Sequence, residues 1–387
     1  MTELKINYII KGVYILLSLN ITMFIFLLFN KIIGKMNKQT NGNERIGYRH
    51  IINEFMIGKI KVVPRLKDRK QVTIFTSVLL EELETRSRSQ RYKLLEIGRE
   101  IRLVKSEIDH LNKGTESRKA IAAYRLGELG AKEATVDLLK NIDHKSTELS
   151  YVISRALILL NGTEHLDMII DILGKDDFTI KSKILDLISL IDEEDIYPKM
   201  KEYLDGESSL KRVLAFESLT SIGDKRIFPY IEGGINSNKK EIKIASLKAI
   251  IGTSYLDCQI ICPMIIKLKD DKDWEVRAFL ARALDSCQHC INGINTLKKM
   301  MEDSNWFVRF NSSEKLLTLG EPGIRALSEV LYSNDKFARD RAWSIIQREI
   351  TLYNLLDRIK CYSNYDDIMS NISNYENSIT GGVLIES

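Results

Sequence analysis

Four cysteines within a short stretch are the first side chains whose type and spacing invite chemistry. Cys258 and Cys262 stand as Cys-x3-Cys, and Cys287-Gln288-His289-Cys290 follows. Four thiolates with a spare imidazole are a ligand set for zinc, which takes sulfur and nitrogen donors in a tetrahedron. Two facts pull the other way: the first spacing is unusual for a zinc knuckle, and cysteine is at home as a small buried hydrophobe. We therefore expect no cofactor and no metal, with Cys258, Cys262, Cys287 and Cys290 as the candidate ligands if one binds. Cys361 is the fifth cysteine, and an odd count without a dense framework fits a reducing compartment.

The remaining catalytic residue types are dispersed. His50, His110, His144, His165 and His289 stand in no Ser/His/Asp or His-Glu-x-x-His context, and no glycine-rich phosphate loop is present. Asp192-Glu193-Glu194-Asp195 falls at a helix turn, where a solvated acidic loop is the ordinary explanation. The expectation is a protein that is not an enzyme.

The elements that would position any site come from a repeat. Trp274-Glu275-Val276-Arg277 returns further along as Trp306-Phe307-Val308-Arg309. Stepping outward by the same stride gives a ladder of Lys119, Tyr151, Lys183, Arg212, Lys243, Arg277, Arg309 and Arg341, spaced almost evenly. A period in the low thirties marks stacked supersecondary units. Apolar residues follow helical spacing, and glycines such as Gly130, Gly223 and Gly320 break each unit into two helices. Thr115, Thr147, Thr179 and Ser208 are expected N-caps. We expect the ladder residue to hold register by bonding an Asp or a carbonyl of the neighbouring repeat, with a basic groove as the alternative. Trp274 and Trp306 are interface candidates, as packing between adjacent repeats or as a binding platform.

A two-helix unit of this length, opened by Asp270-Asp271 before Trp274-x-Val-Arg277 or by Asn305-Trp306-Phe307-Val308-Arg309, resembles the HEAT-repeat family. Leu319-Gly320-Glu321-Pro322-Gly323 fits the same pattern, and the resemblance covers roughly residues 115 to 350. It implies an all-α, right-handed α-solenoid (an armadillo-type fold) of about eight helix pairs over 113–360. Arrays of this kind bind partners along an extended face.

The amino-terminal segment reads differently. Residues 12–29 carry no charge and lie between Lys11 and Lys31; with Ile32-Ile33 they are long enough for a transmembrane helix. We expect an anchor at 12–33 after a short extracytoplasmic segment at 1–11. Residues 31 to 70 hold eleven Lys/Arg against three acids, an excess of +8 that leaves −4 for the rest of a +4 chain. That asymmetry places the solenoid on the cytoplasmic face of the cell membrane, with the basic strip on anionic lipid. Basic charge confined to this strip argues against a nucleic-acid partner. Residues 34–65 are expected as a basic juxtamembrane linker, 66–112 as a pair of capping helices, and 361–387 as a disordered tail.

The composite expectation is a membrane-tethered scaffold or adaptor for a protein partner. The chain is similar to bacterial single-pass HEAT-repeat proteins, and the resemblance implies a membrane enzyme, such as a glycosyltransferase, or another envelope complex as partner. The alternatives are a HEAT-fold enzyme of the lyase-like type and a metal-binding, self-assembling solenoid.

Overall fold

A computed structural model describes residues 42–380, apart from 143–145, 175–177, 253–257, 285–289, 354 and 356–358. The expected anchor at 12–33 and the segment at 1–11 lie outside the described residues, as do Cys287 and His289. Among the described residues there is no strand, and no helix is long and apolar enough to cross a membrane. The chain divides into two compact units, Met1–Asp176 and Asp177–Ser387.

In the first unit a helix over 42–56 (α1) is followed by α2 (Arg69–Thr85), α3 (Arg88–Glu100), α4 (Leu103–Lys113), α5 (Glu116–Leu129), α6 (Thr135–Asn141), α7 (Thr147–Asn161) and α8 (Leu166–Leu173). Two expectations are corrected here. Residues 34–65 are not all linker, because Tyr48, Ile52 and Met56 recur at helical spacing and bury one side of α1; Tyr48 packs edge-on to Phe75 of α2 at 5.3 Å. Part of the strip's charge is correspondingly committed: Arg45 pairs with Glu81, and Arg49 pairs with Glu81 and Glu82. The expected capping pair is three helices, since Arg102 sits in the left-handed region at φ 58° and ends the run that apolar spacing carries from 92 to 108.

Tight packing in this unit depends on small residues. A Cβ at Gly127 of α5 would lie 2.8 Å from the Ala156 Cα of α7, so glycine lets the two backbones approach. Buried carboxylates are neutralised nearby: Glu128 by Arg155 at 2.6 Å, and Glu107 by Arg125 at 2.8 Å. An unpaired buried charge would be far costlier.

The second unit contains α9 (Phe178–Ile188), α10 (Glu193–Asp205), α11 (Ser209–Ser221), α12 (Phe228–Ile235), α13 (Lys240–Ile251), α14 (Cys258–Ile266), α15 (Trp274–Ala283), α16 (Ile291–Met300), α17 (Trp306–Thr318), α18 (Glu321–Val330), α19 (Lys336–Tyr353) and α20 (Tyr365–Thr380). Helices α11, α13, α15, α17 and α19 pack in sequence as one layer, and α12, α14, α16 and α18 form the second. Their shared core holds Phe216, Leu247, Leu280, Leu297 and Leu316, all fully buried.

Along the whole chain the first helix of each pair starts at Glu116, Thr147, Phe178, Ser209, Lys240, Trp274, Trp306 and Lys336, in nearly equal steps. Among the described residues these eight evenly stepped starts make the all-α repeat plan a property of the structure itself. Gly130 and Gly320 mark its turns with positive φ, at 74° and 68°, where a side chain would be strained. The expected caps fare unevenly. Ser208 does accept from the Lys211 N–H at 3.4 Å. Ser146, rather than Thr147, caps α7, and Thr179 lies inside α9.

The carboxyl terminus departs from expectation. Residues 365–380, whose Ser/Asn/Asp content suggests a disordered tail, form α20. Tyr365, Ile368, Ile372 and Tyr375 make an inward stripe, with Ile368 and Ile372 buried and Asn371 donating to Ser328 of α18 at 3.2 Å. A solenoid's last pair needs such a cover over its apolar side.

Candidate functional site

The start of each first-layer helix in the carboxyl-terminal repeats carries both a register device and a set of exposed rings. Three helices position them. Asn305 caps α17 by accepting the Phe307 N–H at 2.9 Å, and Asp335 caps α19 by accepting the Ala338 N–H at 2.8 Å. Capping fixes the first turn, and with it the direction of the side chains at its first two positions.

The register device is a relay. Lys243 of α13 donates to Asp271 at 2.5 Å. The Asp271 carbonyl accepts from Arg277 of α15 at 2.7 Å, and that guanidinium grips Asp303 through two bonds of 2.6 and 2.9 Å. The Asp303 carbonyl in turn accepts from Arg309 of α17 at 2.6 Å. Burial pushes the Asp303 carboxyl up, but the Arg277 bonds, the Asn305 N–H and the Arg277 and Arg309 charges together outweigh it and hold the group below its ordinary range. Arg277 thus reaches its own turn's carbonyl and the next turn's carboxylate, which fixes the stagger of successive helices.

In the last pair this slot belongs to Arg339, which donates to the Ser333 carbonyl at 2.6 Å. Arg341, the expected ladder residue, lies two positions further on and donates to Ser313 and Glu314, both at 2.7 Å. The step from Trp306 to Lys336 is shorter than the two before it, so a constant stride overshoots. Elsewhere Lys119 donates to Asn141 at 2.8 Å. Tyr151 and Lys183 are half-buried on α7 and α9, and Arg212 is half-buried on α11.

The rings form a connected surface. Trp274 stacks on Phe307 at 5.3 Å, Trp306 meets Phe307 edge-on at 5.1 Å, and Trp306 stacks on Phe310 at 5.0 Å. The Arg341 guanidinium covers Phe310 at 4.5 Å, and Arg309 covers Phe337 at 5.2 Å. Both sequence candidates belong to it: Trp274 bridges adjacent repeats and is 37% exposed, while Trp306 is 52% exposed. Phe307 and Phe337, at 53% and 64%, are not among those candidates. Their signal was available as an aromatic at the second position of a helix whose third position is buried (Val308, Ala338). Exposed large rings in mutual contact are uncommon on a surface with no partner.

Two other features of this unit have site-like geometry. An apolar groove of about 610 Å³ runs over α11, α13 and α15, with Leu210, Val213, Ile244 and Phe279 in its lining. Of its three acids (Glu217, Glu241 and Glu275), Glu217 sits between Lys181 at 2.8 Å and Lys248 at 2.7 Å. Burial pushes that carboxyl up, yet the two ammoniums bring it below the usual range, so it is held as a carboxylate. The second feature is sulfur. Cys258 and Cys262 share a face of α14, Cys290 stands at the N-cap position of α16, and their three Sγ atoms lie within 4.8 Å of one another. Cys290 and Cys262 are 2.8 Å apart. Burial, followed by the Cys262 thiol, pushes the Cys290 thiol up to about 11. Cys361 is exposed and stands apart from this group.

No protein-family model matches the sequence, and no curated protein does. Among solved structures, an engineered protein is similar with 15% identity over 86% of this chain and 99% of that one, at a TM-score of 0.37. Kap95p, from a structure on its binding to RanGDP, shares 10% identity over 82% of this chain and 57% of its own, at 0.36. Kap121p bound to Nup53p shares 13% over 81% and 47%, also at 0.36. Scores and identities this low carry no argument about function, and the repeat plan rests on the helix register described above.

Proposed function

We propose that this chain is a protein-binding scaffold, and that the ring surface of α15, α17 and α19 is where the partner docks. The observation that carries this is the mutually packed cluster of exposed Trp274, Trp306 and Phe307 with half-buried Phe310, over which Arg341 lies. Tryptophan, tyrosine and arginine are the residues that most often dominate a protein interface. Packing against one another pre-pays their ordering, which leaves more of the burial free energy for binding. Helices locked in stagger by the Lys243–Asp271–Arg277–Asp303–Arg309 relay hold the rings at fixed spacing.

Tethering belongs to the same reading. The uncharged run after Lys11 and the basic excess that follows it support a single-pass anchor with the repeats on the cytoplasmic side. Arg45 and Arg49 already hold Glu81 and Glu82, so Lys61, Arg65 and Lys67, all exposed, are the members better placed to meet anionic lipid. A membrane enzyme of the glycosyltransferase kind remains the partner class that the HEAT-repeat resemblance suggests.

The test is affinity purification of the detergent-solubilised full chain, comparing wild type with Trp306→Ala/Phe307→Ala and with the remote surface variant Val136→Ala. A partner present at near-equal amount with wild type and Val136→Ala, but lost from the double variant at unchanged helicity, is the expected result. Truncating hot-spot residues costs about 2 kcal/mol or more each, roughly 30-fold in affinity. Undiminished recovery of the partner by the double variant would refute the assignment of the ring surface. Fractionation with and without residues 1–41 tests the tether: equal membrane association of both forms would overturn it.

A further inference from the structure

We propose that Cys258, Cys262 and Cys290 form a thiolate site for a thiophilic divalent cation of the zinc class, clamping α14 to the start of α16. Three sulfurs converge here from two helices of successive pairs. Cys258 and Cys262 are one turn apart on α14, and Cys290 reaches them from the N-cap of α16. Two facing thiols could be chance or a disulfide pair. A third within the same 4.8 Å envelope is the arrangement a metal needs and a disulfide does not.

The dimensions fit. Zinc–sulfur bonds of about 2.3 Å in a tetrahedron set sulfur–sulfur separations of roughly 3.8 Å. The 2.8 Å Cys262–Cys290 contact has only to widen by about 1 Å, which a cysteine rotamer adjustment supplies. Cys290 stands at the N-cap position of α16, where the positive end of the helix dipole favours a thiolate. Cys262 is fully buried while Cys258 and Cys290 keep partial access, so the site has a closed floor and an entrance. Three protein ligands leave a fourth position for water or another donor. Binding is a ligand exchange: the three thiols each give a proton to solvent, and the sulfurs donate electron pairs to the cation with no change of oxidation state.

This site would act on the scaffold rather than on a substrate. α16 follows α15, which carries Trp274 and Arg277, and precedes α17 with its rings. A clamp between α14 and α16 would steady a second layer whose α16 packs against α17. The inference does not depend on that surface binding a partner.

The experiment uses the reduced, detergent-solubilised full chain and Co²⁺ as the probe. One equivalent should produce sulfur-to-cobalt charge transfer in the near ultraviolet together with intense visible bands, and Zn²⁺ should displace them. Cys262→Ser and Cys290→Ser should abolish the bands, and Cys361→Ser should leave them intact. Because a buried Cys262→Ser could disturb folding, a second measurement uses wild type alone: alkylation followed by mass mapping, with and without Zn²⁺. Protection of Cys258, Cys262 and Cys290 by at least 10-fold, with Cys361 still modified, supports the site. No charge-transfer band, equal alkylation in both samples, or a native Cys262–Cys290 disulfide would each overturn it.

Discussion

Arg277→Met is the most informative single change in the repeat register. In the native chain the guanidinium makes two bonds to Asp303 and one to the Asp271 carbonyl, with side chains only 13% and 9% exposed across the ion pair. Removing one member of a buried pair costs about 3–5 kcal/mol, because the other charge is stranded. Asp303 keeps the Asn305 N–H at 2.8 Å, which softens the loss, so we expect about 2–4 kcal/mol. Repeat arrays open locally, so a global melting curve is the wrong readout and amide hydrogen exchange at α15 and α17 the right one. That cost corresponds to about 30- to 700-fold faster exchange there at neutral pH, with little change at α5 and α7. Arg277→Met/Asp303→Leu, which removes both charges, should recover much of the protection. Exchange within about 3-fold of wild type in Arg277→Met would refute the relay as the source of register.

Three further expectations follow from the same geometry. Gly127→Ala should lower the melting temperature, because its Cβ meets the Ala156 backbone, at a cost of about 1–3 kcal/mol, whereas Gly233→Ala, with nothing within 4 Å, should raise stability by about 0.5–1 kcal/mol; like-signed shifts in thermal scans would contradict the packing. Ile368→Ala should cost about 2–4 kcal/mol and speed proteolysis at the carboxyl terminus, an effect that a disordered tail would not show. Asp303 and Glu217 both titrate below their ordinary values when folded, so their contribution is complete above the unfolded carboxylate range and is lost as pH falls through that range into the folded values. Exchange protection of α11–α17 should therefore fall between about pH 5 and pH 3, and Glu217→Gln should flatten that dependence at α11 and α13; an unchanged profile in the variant would remove Glu217 from the account.

The sequence by itself determined the repeat. Its period, helix-breaking glycines and apolar spacing are local quantities, and Trp274, Trp306, Arg277 and Arg309 stand in register because two adjacent units keep the same signature. What it misjudged were features set by distant surfaces. The polar composition of 361–387 hid an apolar stripe whose value depends on α18 being there to cover. Residues 42–56 read as a charged strip, yet the acids that Arg45 and Arg49 hold are far along the chain, on α2. The slip from Arg339 to Arg341 has the same origin, since only hydrogen bonds to a specific carbonyl distinguish two nearby arginines. The thiols show the division most sharply. Spacing made Cys258, Cys262 and Cys290 candidates, but whether three sulfurs from two helices share one small volume is decided by how those helices pack, which no local pattern encodes.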